Sequence, residues 1–182
     1  MHLVSALNDL YGNTPPVGKT HIIAIDGPAG AGKTTLANEI FQAMSTKYSI
    51  EVIHMDDLYN GWQDALGDEL TAVLSSIIDS QKNMNTFKIP IFDWVNYSFT
   101  SVRELKPPQI LILEGVGSAR SCVREFTMAT IWIEVDRALG IQRVLARDGE
   151  EIETHMKQWL IDQEIYFTTD KTRESADFIL ST

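Results

Sequence analysis

One segment of this chain constrains its fold more than any other: Gly27-Pro28-Ala29-Gly30-Ala31-Gly32-Lys33-Thr34, followed by Thr35. It fits the pattern G-x-x-x-x-G-K-[ST], and its flanks suit that pattern. The apolar, β-rich run His21-Ile22-Ile23-Ala24-Ile25 precedes it, and Thr35-Leu36-Ala37-Asn38-Glu39-Ile40-Phe41 follows with helical spacing. A glycine-rich turn between a strand and a helix wraps a polyphosphate in backbone N–H groups, and the helix N-terminus adds positive potential. Lys33 is the cation expected on the β- and γ-phosphates, and the Thr34 hydroxyl is the expected Mg²⁺ ligand. The predicted nucleotide-binding residues are therefore Gly27, Pro28, Ala29, Gly30, Ala31, Gly32, Lys33, Thr34 and Thr35.

The rest of the chain alternates strand with helix. Strands are expected at 20–26, 48–54, 109–113, 130–135 and 177–180, and helices at 33–46, 62–78, 137–147 and 150–167. Gln109-Ile110-Leu111-Ile112-Leu113 is apolar throughout, as a strand buried on both faces of a parallel sheet must be. A parallel sheet with helices on both faces follows. Ahead of it, Leu3, Ala6, Leu7 and Leu10 share one face of a short helix that Pro15-Pro16 and Gly18 close off.

At 182 residues the chain suits one domain. Its net charge of −10 argues against a general nucleic-acid or anionic-membrane surface, so local groups must hold an anionic nucleotide. The lone Cys122 excludes an internal disulfide and fits a reducing cytoplasm. No apolar run reaches membrane-spanning length, and no basic segment leads into an apolar core at the N-terminus.

Three further groups carry chemistry. The second strand ends in Met55-Asp56-Asp57-Leu58-Tyr59. Ligands of open α/β sheets sit beyond the carboxyl ends of the strands, so Asp56 is placed to face the γ-phosphate. It is the candidate general base for an attacking hydroxyl and a candidate Mg²⁺ partner. The alternative is an Asp-Asp helix cap. The third strand ends in Glu114-Gly115, where an acid beside the loop strand suits a second Mg²⁺ partner. Arg143 and Arg147, four apart, share a helix face and are candidate stabilisers of transferring charge.

Taken together these residues resemble the uridine kinase-like branch of the P-loop kinases. The resemblance runs from about 20 to 182 through Asp26–Thr35, Asp56-Asp57-Leu58-Tyr59, Ile89–Trp94, Leu113-Glu114-Gly115 and Arg143–Asp148. It implies a three-layer α/β fold with a five-stranded parallel sheet, and transfer of the ATP γ-phosphoryl to a hydroxyl. A helical extension at 1–18 would precede a kinase domain at 19–182 with a small lid near 137–155. It implies Asp56 as base, Thr34 and Glu114 around Mg²⁺, and Phe92, Asp93 and Trp94 on the acceptor side; Asp56 is expected to join the Mg²⁺ shell, and Tyr59 and Tyr97 the acceptor side. Two departures stand out. Tyr97 and Phe99 occupy places where uridine kinases carry His and Arg, and Gly61-Trp62-Gln63-Asp64-Ala65-Leu66 replaces their ribose-contacting stretch. The expected acceptor is therefore another small hydroxylated molecule, with Trp62, Phe92, Trp94 and Tyr97 as candidate walls. A GTPase switch would need Asp-x-x-Gly and Asn-Lys-x-Asp, and neither stands in its place. A nucleotide-binding module without catalysis is the other alternative.

Overall fold

The computed structural model describes residues 2–182. Five strands form one parallel sheet: β1 (His21–Asp26), β2 (Ile50–His54), β5 (Ile110–Glu114), β6 (Thr127–Glu134) and β7 (Phe178–Ser181). Their spatial order is β2-β5-β1-β6-β7, with all pairs parallel. β1 and β5 are buried at every position, which is why they read as unbroken apolar runs.

The period-2 geometry of the strands sorts their side chains between two cores. Ile23, Ile25, Ile110 and Ile112 pack with Ala37, Ile40 and Met44 of α2 (Lys33–Met44) on one face. Leu7, fully buried on α1 (His2–Asn13), joins them, and α1 lies against α2 and β6. On the opposite face Ile22, Leu111, Leu113 and Trp132 meet Leu70, Leu74, Ile77 and Ile78 of α3 (Asp68–Lys82). Met156, Trp159 and Phe167 of α6 (Glu153–Asp170) complete that core. A short α4 (Ser121–Arg124) follows β5, and α5 (Arg137–Asp148) follows β6.

Two expectations need correction. The helix read from Trp62 onward begins only at Asp68. Gly61 and Asp64 hold left-handed φ values of +75° and +56°, which break the helical path. Trp62 and Leu66 are apolar because tertiary neighbours cover them in a loop, and the periodicity through them is coincidental. The alternation of strand and helix is also interrupted. β3 (Phe87–Asp93) and β4 (Ser98–Leu105) form an antiparallel hairpin separate from the main sheet. Pro90 is tolerated there because a two-stranded ribbon leaves an open edge.

Candidate active site

The loop Gly27–Gly32 joins β1 to α2 at the carboxyl edge of the sheet. Gly30 holds φ +77°, and a Cβ there would lie 2.2 Å from the Gly140 carbonyl oxygen, so the loop is seated directly on the start of α5. Lys33 is 9% exposed, and its Nζ donates to the Gly27 and Pro28 carbonyls at 2.8 Å each. Burial lowers its pKa, opposed by the charges of Asp26, Glu114 and Asp56.

Sheet register assembles the acids. Glu114 is paired with Ile25 of β1 and with His54 of β2. The Thr34 hydroxyl donates to Glu114 Oε1 at 3.1 Å, and His54 Nδ1 hydrogen-bonds the same oxygen. That bond raises the His54 pKa, against the opposing effect of partial burial.

Asp56 and Asp57 lie in a single 3₁₀ turn, Met55–Asp57, that ends β2. Asp56 is exposed at the surface, yet protein atoms crowd round its carboxylate. That crowding raises its pKa, and the Glu114 charge adds to it; Lys33 and Arg147 act against both. Asp57 is set in other company: burial raises it, and His54 and Arg103 oppose. Both carboxylates feel Glu114 and His54, but Lys33 and Arg147 act on Asp56 and Arg103 acts on Asp57.

The arginines also divide. Arg143 Nη1 donates to the Gly30 carbonyl at 3.2 Å and to Thr182 Oγ1 at 3.1 Å, so it braces the loop from the α5 side. Arg147 forms a bidentate pair with Asp148, Nε and Nη2 each at 2.6 Å, and its charge reaches Asp56 and Glu114. Four-residue spacing put both on one face, but only Arg147 acts in the field of Asp56.

The expected acceptor side is aromatic. Trp94 Nε1 donates to the Asp56 carbonyl at 3.0 Å. The Trp62 ring packs against Trp94 at 5.1 Å, His155 at 5.3 Å and Trp159 at 6.0 Å between centroids. Tyr97, 54% exposed, accepts the Trp62 N–H at 3.1 Å and ties the hairpin to the loop after Asp56. A Cβ on Gly61 would fall 2.4 Å from that Tyr97 hydroxyl, so only glycine allows the tie. Three of the expected acceptor residues are placed otherwise. Tyr59 is 2% exposed and donates to the Val116 carbonyl at 2.6 Å, behind the cleft. Phe92 is buried under the aromatic cluster. Asp93 accepts from Val95 N, Asn96 N and Asn96 Nδ2 at 2.7–3.0 Å, which lowers its pKa and shapes the hairpin turn.

Four site-supporting residues escaped the sequence reading. Asp26 is buried and accepts N–H bonds from Gly27, Gly117 and Ala119 at 2.8–3.2 Å, fastening the loop after β5 to the phosphate loop. Burial pushes its pKa up to about 6 against those bonds. Gln163 of α6 accepts the Ala29 N–H at 3.1 Å. Arg120, 5% exposed, donates to the Leu66 and Gly67 carbonyls at 3.0 and 3.2 Å and to the Thr71 hydroxyl. It therefore holds the Trp62 loop from the loop that follows Glu114. His54 is the fourth. Only Asp26, directly before Gly27, left a local signal; the others are defined by partners about 50 to 134 positions away.

Among the described residues, no group of three His, Cys, Asp or Glu side chains is close enough to hold a metal alone. Thr34 and Glu114, with Asp56 nearby, supply hard oxygens of the kind Mg²⁺ takes while keeping waters and phosphate oxygens. The donor set fits Mg²⁺ carried with a nucleotide.

Loop and strand order are those of a P-loop NTPase fold. No family model matches the chain. It is similar to the uridine kinase of Mycoplasma genitalium, 26% identical over 181 aligned positions, covering 87% of this chain and 84% of that one. It is also similar to the uridine kinase of Staphylococcus aureus strain JH9, 27% identical over 146 positions, covering 72% and 70%. A solved structure described as a possible uridine kinase from Bacillus stearothermophilus superposes with a TM-score of 0.64 at 22% identity, covering 99% of this chain and all of that one. These likenesses support a kinase-like phosphotransferase. No helix among the described residues is long and apolar enough to cross a membrane.

Proposed function

We propose that the chain is an ATP- and Mg²⁺-dependent phosphotransferase that moves the γ-phosphoryl group to a hydroxyl of a small molecule. One observation carries this reading. Asp56 lies between the phosphate loop and the aromatic cleft, within the fields of Lys33, Glu114 and Arg147. Its position beside both the phosphate loop and the Trp94 side of the cleft is that of a base for an attacking hydroxyl.

In this reading the acceptor's O–H proton passes to Asp56 as that oxygen attacks the γ-phosphorus. The bond from phosphorus to the ADP oxygen breaks, and ADP leaves. Lys33 and Arg147 stabilise the charge spread over the transferring oxygens. Thr34, Glu114 and Asp56 would hold Mg²⁺, which when bound neutralises phosphate charge. Arg143, Gln163 and Asp26 keep the loop in position from three sides. The acidic surface leaves nucleic acid and membranes aside as partners.

The test is ADP release from ATP and Mg²⁺, with and without a panel of nucleosides, sugars and other alcohols. A phosphotransferase releases ADP in step with a phosphorylated acceptor. Release that ignores every acceptor identifies a hydrolase, and no release with any of them identifies a binding module; either result sinks the proposal.

A further inference from the structure

Glu114 is 4% exposed, and a buried carboxylate needs donors. Two are in place, and both go to one oxygen: the Thr34 hydroxyl at 3.1 Å and His54 Nδ1 meet at Oε1. Among the described residues no side chain or backbone N–H bonds Oε2, and that atom is not one of the polar atoms sealed in the interior without a partner. One carboxylate oxygen is thus held by protein from two sides, and the other keeps its lone pairs.

Sheet register brings His54 to this place. It is the last residue of β2, paired with Glu114 of β5, and its φ and ψ of −87° and 130° are still extended. The chain enters the 3₁₀ turn that carries Asp56 only after it. Paired residues of neighbouring strands point to the same face, so the imidazole stands beside the carboxylate. Asp56 and Asp57 lie within the field of His54, yet the ring nitrogen bonds Glu114. That bond needs a hydrogen on Nδ1, which the neutral Nδ1–H form and the imidazolium both carry. The contact therefore holds in either charge state of the ring.

We infer that His54 is a positioning residue for the Mg²⁺ carried with the nucleotide: it holds Glu114 so that Oε1 receives the Thr34 hydrogen and Oε2 stays open to the cation or to a water on it. The consequence for Thr34 is direct. A hydroxyl whose hydrogen is fixed on Oε1 turns its lone pairs elsewhere, as a ligand of Mg²⁺ must. Without His54, Thr34 is the one remaining donor to Glu114 among the described residues, and the carboxylate is free to rotate and take that hydrogen on either oxygen. Partners that orient a metal-binding group typically change metal affinity by about 10–100-fold. The inference rests on the phosphotransferase reading for the identity of the cation, and the contact itself does not. The competing role for His54 is to stabilise the sheet edge by satisfying a buried acid, with no effect on the metal.

The experiment is a calorimetric titration with a non-hydrolysable ATP analogue, run once at saturating Mg²⁺ and once in EDTA, with melting temperature read in parallel. By linkage, the ratio of the two affinities reports how firmly the protein–nucleotide complex holds the metal. His54→Leu removes the donor and should lower that ratio by about tenfold, while the affinity in EDTA stays near the wild-type value. His54→Asn sets an amide N–H where Nδ1 stood and should recover most of the loss. His54→Ala adds no bulk, so it carries the test should leucine distort the end of the strand. The inference falls if the leucine and alanine variants melt lower but keep the wild-type ratio, or if asparagine recovers nothing. It falls as well if affinity drops equally with and without Mg²⁺, or if Mg²⁺ does not tighten nucleotide binding in the wild type. Should the ratio respond as expected while no acceptor draws ADP from the wild type, the phosphotransferase reading sinks and the role of His54 stands. ADP release by His54→Leu with an unchanged Mg²⁺ requirement would do the reverse.

Discussion

On the phosphate side of the cleft, the polar groups are tied into a short lattice of hydrogen bonds. Lys33 is bound to two loop carbonyls, Thr34 and His54 to Glu114, and Asp26 to three backbone N–H groups. On the acceptor side, two long-range ties, Trp62 N to the Tyr97 hydroxyl and Trp94 Nε1 to the Asp56 carbonyl, join hairpin and loop, and aromatic faces supply much of the remaining contact. The first arrangement is one that a single chemistry, a polyphosphate with its cation, imposes on backbone and charge. The second leaves its chemistry to whichever side chains the loop and hairpin bring together.

Asp56 sits on the border, and its loss is expected to have the largest effect. Asp56→Asn keeps the shape and removes the proton acceptor, so turnover should fall by about 10²–10⁴. Nucleotide affinity, measured with and without Mg²⁺, should change much less. Asp57→Asn, whose neighbours are His54 and Arg103, should cost mainly stability. The assignment is off by one residue if turnover is lost in the Asp57 variant and kept in the Asp56 variant.

Within the phosphate half, Lys33→Ala removes the cation and should cut turnover by about a hundredfold or more while the acceptor still binds. Near wild-type turnover in that variant would mean that the loop is not the reacting phosphate site.

The next effect is read through pH. Asp26 has a folded pKa of about 6 against 3.8 for a free carboxyl, so the folded state holds its proton more tightly than the unfolded state does. Stability from this group is present at the acid end and is lost as pH rises from about 4 to 6, a difference of about 3 kcal/mol at most. His54, Asp56 and Asp57 are shifted in the same direction, so the informative quantity is the difference between wild type and Asp26→Asn. The variant should show a flatter profile of melting temperature between pH 4 and 7. Parallel profiles would show that Asp26 does not titrate in that window.

Arg120 links the halves, since it reaches from the loop after Glu114 to the carbonyls behind Trp62. Arg120→Met should cost about 1–3 kcal/mol by leaving the Leu66 and Gly67 carbonyls without their donors. The KM for acceptor should rise while nucleotide affinity holds. If both affinities fall together, Arg120 supports the whole cleft rather than the loop that carries Trp62.

What the residue order determined by itself is the phosphate half. A polyphosphate-binding turn must be glycine-rich, must follow a buried strand and must open a helix, so its whole signature lies within about 20 consecutive residues. The acid at the end of β5 was legible for a related reason: a buried parallel strand is an apolar run, and a carboxylate at its end is conspicuous. The acceptor half was decided by tertiary structure. The hairpin at 87–105 hid because its strands alternate only in part, and the span beginning at Trp62 imitated a helix because loop residues can be apolar for tertiary reasons. Tyr59, expected on the acceptor side, is buried in the core with its hydroxyl on the Val116 carbonyl. Arg120 and Gln163 carry no local mark, because a buried polar side chain takes its role from distant partners that only the folded chain brings within hydrogen-bond reach.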